Sequence, residues 1–210
     1  MKRLITLTLM FTVVFCTSCK EKPDDGEGGG DDTIVPQKPQ GYVIGSYYSK
    51  NDVEGIVYKV NADGDKGMIV SLNEGMKQWY DKTPREFTGA GDRDNGANNM
   101  SIIVGFGFLV DYPAFDWCNS QNKGNTSGWY LPAENEIYDV ARVYEQLQDS
   151  LEAHAGTRFS TGKYWSSTDN DNGTGGICQD ASAVDFGNTS LPFSSVSKAQ
   201  TCKVRAVRAF

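Results

Sequence analysis

Residues 128–140 read GWYLPAENEIYDV and decide how the rest of the chain is organised. A short aromatic and apolar segment runs into Pro132, whose fixed φ suits the first position of a helix. Glu134 and Glu136 then place negative charge in the first helical turn, where the helix dipole stabilises it. Apolar residues follow at helical spacing and form one stripe, which consists of Ile137, Val140, Ala141, Tyr144, Leu147 and Leu151. This pattern predicts an amphipathic helix that buries one face.

Length and charge narrow the class of protein. The chain has 210 residues, which is enough for one domain with a substantial core. Its formal net charge is −7, and its Lys and Arg residues are scattered and form no basic stripe. Because a nucleic-acid-binding surface needs such a stripe to neutralise phosphates, nucleic acid is not an expected partner.

Residues 1–18 have the features of a signal peptide. Two basic residues precede an apolar run that is too short to span a bilayer. The run ends at Cys19 in a pattern that resembles the lipobox of bacterial lipoproteins, although Cys16 stands where leucine is usual. This resemblance implies that Cys19 is lipidated and becomes the mature N-terminus. Ordinary cleavage after Ser18, which would leave a free thiol, is the alternative.

Residues 19–40 are expected to form a disordered tether. They are rich in Gly, Asp and Pro and contain few apolar side chains, so they cannot compensate for the entropy lost on ordering. Acidic residues soon after Cys19 resemble the surface-export signals of some Gram-negative lipoproteins. We therefore expect an outer-membrane protein that faces the outside and contacts the membrane only through its lipid. The folded domain is expected over residues 41–210.

Several shorter segments also have clear preferences. Residues 55–61 and 67–73 are β-type runs joined by a turn with an Asp-Gly pair, which predicts a β-hairpin. Residues 112–121 predict a second, short helix. Residues 102–110 are apolar and are interpreted as a buried strand or the lead-in to a helix. Residues 203–210 predict one docked strand at the end of the sequence.

Three motifs in the second half of the chain resemble those of a known family. They are Gly128–Pro132 with Glu136, then residues 164–167 (YWSS), then residues 204–208 (VRAVR). Their order and spacing resemble the Lcl C-terminal domain family, long described as a domain of unknown function, and the related major paralogous domain of bacterial surface lipoproteins. The resemblance implies an α+β, C-type-lectin-like fold with two helices packed on small antiparallel sheets and a long irregular loop region. The family includes surface adhesins that bind sulfated glycans.

The same resemblance bears on the cysteines. Cys178 and Cys202 match the inner disulfide of the lectin-like pattern, so the resemblance implies that they are paired; other pairings or free thiols are the alternatives. Relatives often have cysteine at the position of Ala206, which leaves Cys118 without its expected partner. The sugar-binding motifs of calcium-dependent lectins are absent from this sequence.

Candidate ligand-binding residues lie in the irregular segment upstream. Trp79 and Tyr80 are the better candidates for an exposed stacking platform, because Trp129 and Trp165 stand in β-type runs beside the main helix and are expected in the core. A polar, Gly-rich loop follows at residues 89–99 (the polar loop), and such a loop either binds a ligand or merely connects. Its candidate ligand-binding residues are Asp92, Asp94 and Asn98.

Asp169 and Asp171 are candidate metal ligands. They alternate with asparagines ahead of a glycine, as in a calcium-binding loop. The EF-hand pattern needs a glutamate at its twelfth position, which here is Asp180, so a solvated turn is the alternative. Calcium is accordingly the one cofactor considered, and otherwise none is expected.

No catalytic residue is expected. His154 is the only histidine, and its position near the end of the main helix suits a polar residue in the last turn. The first-turn preference for negative charge accounts for Glu134 and Glu136 without a carboxylate pair for glycoside hydrolysis. The sequence thus predicts a non-catalytic surface lipoprotein that binds an extracellular glycan or protein. The alternative is a structural or accessory subunit of a surface appendage or outer-membrane assembly.

Overall fold

The computed structural model describes residues 41–170, 178–188, 190 and 192–210. The expected signal peptide (1–18), the expected tether (19–40) and Cys19, the expected site of lipid attachment, lie outside the described residues.

The predicted amphipathic helix is confirmed, and it spans Glu134–Ala153 (α3). Its buried stripe includes Ile137, Val140, Leu147 and Leu151. The helix begins at Glu134 and not at Pro132, because the carbonyl of Pro132 accepts a hydrogen bond from the Ser167 N–H (2.7 Å) and is held against a neighbouring strand. Glu136 stabilises the first turn, where its Oε2 accepts the Ala133 N–H at 2.8 Å.

Two small sheets make up the β part of the fold. The strands of the first sheet are β1 (Tyr47–Lys50), β2 (Val53–Val60), β3 (Gly67–Val70) and β9 (Val207–Ala209). Those of the second are β4 (Gly75–Gln78), β5 (Lys163–Asp169), β6 (Asp180–Asp185), β7 (Phe193–Ser197) and β8 (Thr201–Val204). Their orders are β1-β2-β3-β9 and β4-β8-β5-β6-β7, antiparallel except for the parallel pair β5–β8. The predicted hairpin is confirmed as β2–β3.

The last apolar run forms two strands and not the single strand predicted. Arg205 lies between β8 and β9, where the chain passes from the second sheet to the first. Its buried guanidinium donates hydrogen bonds to the carbonyls of Ser71 (2.8 Å), Leu72 (2.9 Å) and Thr157. These bonds stabilise an irregular backbone there, so the strand is interrupted.

Three α-helices occur among the described residues, where two were expected. Besides α3 they are α1 (Gly96–Gly105), which was not predicted, and α2 (Pro113–Asn119), which confirms the short helix predicted there. The α+β class with small sheets is confirmed. Two hydrophobic clusters form the core, one on α3 and one that contains Trp79, Phe115, Trp129 and Trp165. The core positions predicted for Trp129 and Trp165 are therefore confirmed.

Of the two interpretations of residues 102–110, the buried strand is wrong, whereas the lead-in to a helix holds for the segment before α2. They contain the end of α1, a turn, and a short 3-10 helix at Leu109–Asp111. Gly107 adopts a φ of +77°, which favours glycine and stops the helix. Beyond that point Phe108 and Val110 project into solvent, whereas Leu109 packs against the core.

Candidate interaction surface

The Gly-rich loop before α1 shapes the start of that helix. Asp92 Oδ1 accepts hydrogen bonds from the N–H groups of Asp94 (2.9 Å) and Asn95 (3.0 Å). The Asn95 side chain caps α1 by accepting the Asn98 N–H at 3.0 Å. Asp94 Oδ1 accepts a hydrogen bond from Asn135 Nδ2 at 2.6 Å. Asp92 and Asp94 thus have structural partners already, and a ligand contact by Asp92, Asp94 or Asn98 stays a prediction.

Asn99 is a residue that the sequence analysis did not single out. It is fully buried; its Oδ1 accepts the Asp92 N–H (3.0 Å), and its Nδ2 donates to the Asp92 carbonyl (2.7 Å) and to Ser167 Oγ (2.9 Å). Thr168 Oγ1 donates to the same Asp92 carbonyl at 2.9 Å. The available signal was helical spacing, since Asn99 lies one turn before Ile103 on the buried face of α1.

Trp79 was predicted to be exposed, and this is wrong because its side chain is 0% exposed. Its indole N–H donates to the Ser166 carbonyl at 2.9 Å, and its ring packs edge-on against Phe115 at 4.9 Å between centroids. The physical reason is that the Trp79 N–H bonds to the Lys198 carbonyl (3.1 Å) just past β4, which turns the ring inward. Tyr80 is half-buried, so it is the accessible member of the predicted pair.

Asp169 forms a buried ion pair and does not lie in an open metal loop. Its Oδ1 lies 2.7 Å from Lys198 Nζ, and the two side chains are 0% and 1% exposed. Its Oδ2 accepts hydrogen bonds from the N–H and the hydroxyl of Thr88, both at 2.8 Å. Because a cation and two donors already occupy this carboxylate, the prediction that Asp169 ligates a metal is wrong. Asp171 lies outside the described residues.

Cys118, Cys178 and Cys202 are all free and buried, so the expected Cys178–Cys202 disulfide is wrong. The Cys178 sulfur lies 3.2 Å from Asp169 Oδ1, whereas Cys202 packs in the hydrophobic core. Burial raises the pKa of Cys202 to about 11 and that of Cys118 well above its usual value. Both thiols are therefore protonated at neutral pH and are poor nucleophiles.

The two acidic residues of the first turn of α3 have partners within the fold. Glu134 is buried, pairs with Arg93 and accepts a hydrogen bond from Ser182 Oγ at 2.5 Å. Glu136 accepts a hydrogen bond from the Tyr130 hydroxyl at 2.7 Å, and burial together with this carboxylate raises the pKa of Tyr130. Across the described ranges, no three His, Cys, Asp or Glu residues are grouped so as to hold a metal ion.

The most unusual surface feature is the apolar loop, Val104–Val110. Four of its side chains are exposed, with exposed fractions of 46% for Val104, 43% for Phe106, 67% for Phe108 and 71% for Val110. Clustered exposed apolar side chains are typical of a surface that contacts another molecule, because water solvates them poorly.

A groove of about 730 Å³ adjoins the apolar loop. It lies between α1 and the segment that leads into α3, and Val104 belongs to both the loop and the groove. The other principal lining residues are Met100, Asn122, Trp129, Arg208 and Ala209. A largely apolar wall with a few polar groups is the usual composition of a binding groove.

Comparison with known proteins supports the fold and gives no family. No family model matches the chain, and no curated protein matches it. The crystal structure of a fimbrial protein from Bacteroides ovatus is similar to it, with a TM-score of 0.58 at 15% sequence identity. The similarity covers 80% of this chain but only 49% of that one. At this identity the similarity establishes a shared fold. Among the described residues, no helix is both long and apolar enough to cross a bilayer.

Proposed function

We propose that this protein is a structural or accessory subunit of a bacterial surface appendage or outer-membrane assembly, attached to the membrane through Cys19. The observation that carries the proposal is the apolar loop, with Phe108 and Val110 more than half exposed. An isolated subunit loses free energy by exposing such side chains, and burying them against a neighbouring subunit recovers it. The fold similarity to a Bacteroides ovatus fimbrial protein supports the same proposal.

The polar loop also favours assembly over ligand capture. Asp92 and Asn99 form hydrogen bonds within the fold, and Trp79 is buried, so these arrangements favour a structural role over contact with a ligand. The arrangement suits a rigid scaffold. A glycan- or protein-binding module remains the second candidate, which the groove beside Trp129 and the resemblance to the Lcl C-terminal domain family favour.

We further propose that the protein is not an enzyme. Its one histidine, His154, is exposed and stacks on Tyr47 with 3.7 Å between ring centroids. Glu134 and Glu136, the most plausible acids, form hydrogen bonds within the fold. Turnover of any substrate by the purified chain would contradict this part of the proposal.

Fractionation of surface appendages tests the proposed function. In the bacterium that encodes the chain, the protein should be recovered with appendages sheared from the cells, and the double variant Phe108→Ser/Val110→Ser should lose this association. Met76→Ser is the matched control, because Met76 is an exposed apolar residue on β4, outside the apolar loop. Equal recovery of both variants would contradict the proposal.

A glycan array distinguishes the second candidate. The full chain with Cys19→Ser, which carries no lipid, would be applied with and without calcium. Specific glycan binding without appendage association would favour the binding module, whereas appendage association without glycan binding would favour the assembly subunit.

A further inference from the structure

The open edge of the first sheet faces the groove. Gly67 and Phe210 exchange two backbone hydrogen bonds (3.2 and 3.0 Å), so the adjacent pair Met68–Ala209 is a non-hydrogen-bonded pair of the antiparallel ladder. The N–H and C=O of Ala209 therefore point away from β3. Ala209 is exposed and lines the groove, which places this open edge beside the groove.

The chain covers only the first part of this edge. Tyr130 and Val207 exchange hydrogen bonds of 3.1 and 3.0 Å, which pair β9 with the segment before α3. The segment then diverges at Gly128, whose φ is +90°. Within the described part of the chain, no hydrogen bond to the Ala209 N–H or C=O is present, so the edge is open at that residue.

Arg208 adds an unpaired positive group to the groove. Its Nη1 is buried and has no hydrogen-bond partner among the described residues. No ion pair to its guanidinium occurs in the described ranges either. Arg208 lines the groove and is only half-buried, so a ligand carboxylate in the groove would supply an acceptor to the part of the guanidinium that remains accessible.

We propose that this groove binds an extended acidic peptide segment of a neighbouring subunit, which adds a short strand to β9 at Ala209. The peptide backbone would pair with the Ala209 N–H and C=O, and a carboxylate would pair with Arg208. β-Branched side chains of the peptide would lie on Met100, Val104 and Trp129. This inference deepens the proposed function and rests on it, because it names the segment that an assembly partner would supply.

An extended peptide fits the groove better than a sugar does. Strand addition uses the backbone for affinity and side-chain contacts for selectivity, and the groove offers one of each: the pair of backbone groups on Ala209 and the apolar wall with Arg208. A strand alternates its side chains, so one row can face the apolar wall while the other faces solvent.

Peptide titration by NMR tests the proposal. The full chain with Cys19→Ser would be titrated with the capped synthetic peptide Asp-Thr-Val-Thr-Val-Thr. The amide resonance of Ala209 should shift, and its hydrogen exchange should slow by on the order of tenfold at saturation, since the N–H becomes hydrogen-bonded. An Ala209 amide that neither shifts nor gains protection would overturn the inference.

Matched controls test each part of the contact. A peptide N-methylated at its central valines should not bind, because it cannot pair along the edge. A peptide with Lys in place of Asp should bind several-fold more weakly. Arg208→Gln should abolish that preference, and Arg142→Gln, at an exposed position on α3, should preserve it. Equal binding of the methylated peptide, or a preference unchanged in Arg208→Gln, would overturn the inference.

The two proposals can fail separately. If the unaltered protein is not recovered with sheared appendages while Ala209 still responds to the acidic peptide, the assembly function is rejected and a peptide-binding groove remains. The reverse result would retain the assembly function and reject the groove as its contact.

Discussion

The polar loop before α1 and the apolar loop after α1 are buried and exposed in the reverse of the way that their compositions indicate. The polar loop has the appearance of a ligand site, yet Asn99 and Asp92 bond it firmly to the neighbouring strand. The apolar loop has the appearance of core, yet Phe108 and Val110 lie in solvent. Polar side chains can therefore be the groups that hold a region together, and apolar ones the groups available for contact with another molecule.

The largest expected effect comes from the buried ion pair next to the polar loop. Lys198→Met leaves the Asp169 carboxylate buried without its cation and should lower the free energy of unfolding by about 3–5 kcal/mol. Urea denaturation at neutral pH measures it. The double variant Lys198→Met/Asp169→Asn should recover much of the loss, because the amide oxygen can still accept the Thr88 bonds. A loss below about 1 kcal/mol in the single variant would show that the Asp169–Lys198 ion pair is not buried as described.

Adjacent asparagines provide the next test. Asn99→Ala removes the bonds to Asp92 and Ser167 in a fully buried place and should cost about 2–3 kcal/mol of unfolding free energy. Asn98→Ala changes an exposed side chain on the same helix and should stay within about 0.5 kcal/mol of the parent. Thermal or urea unfolding of both variants measures the difference. Equal losses would contradict the division between a structural and a free asparagine.

The pH dependence of stability tests the burial of Cys202. Burial raises the pKa of Cys202 from its ordinary value of 9.0 to about 11, so the thiol loses its proton more readily in the unfolded chain. Stability should be unaffected by this group below pH 9 and should fall as the pH rises from about 9 to about 11. Cys202→Ala should make the urea midpoint less dependent on pH in that window. An unchanged slope would indicate that Cys202 is accessible to water.

The smallest effect on stability is expected in the apolar loop. Phe108→Ser/Val110→Ser should change the free energy of unfolding by no more than about 0.5 kcal/mol, because both side chains are already in solvent. The same variant should bind less of a dye that reports exposed apolar surface. A large loss of stability would mean that the loop belongs to the core after all.

The sequence predicted those parts of the fold in which local pattern and tertiary packing agree. The stripe of α3 has one buried face, and the β2–β3 hairpin has β-type runs on both sides of an Asp-Gly pair, so local patterns sufficed to locate them. The failures lie where distant residues decide. Trp79 is buried because Lys198, far along the chain, bonds its backbone, and the last strand is broken because Arg205 meets carbonyls from two other segments.

The candidate site was harder still to predict. Neither the glycines that end α1 nor the apolar residues after them indicate which side of the loop is covered, because this depends on the path of neighbouring segments. The open backbone of Ala209 depends on the register between β3 and β9, which no local pattern encodes.

The buried guanidinium of Arg205 also bears on how the protein comes apart. It contacts carbonyls on both sides of the crossing between the two sheets and sits 4.3 Å above the ring of Phe159. If the sheets separated while the rest of the fold persisted, this cation would lose its carbonyl acceptors and its contact with Glu74 (3.5 Å from Nε), so we expect the molecule to unfold in one all-or-none step under heat or mechanical pull. Such a molecule would withstand mechanical load up to a single high threshold.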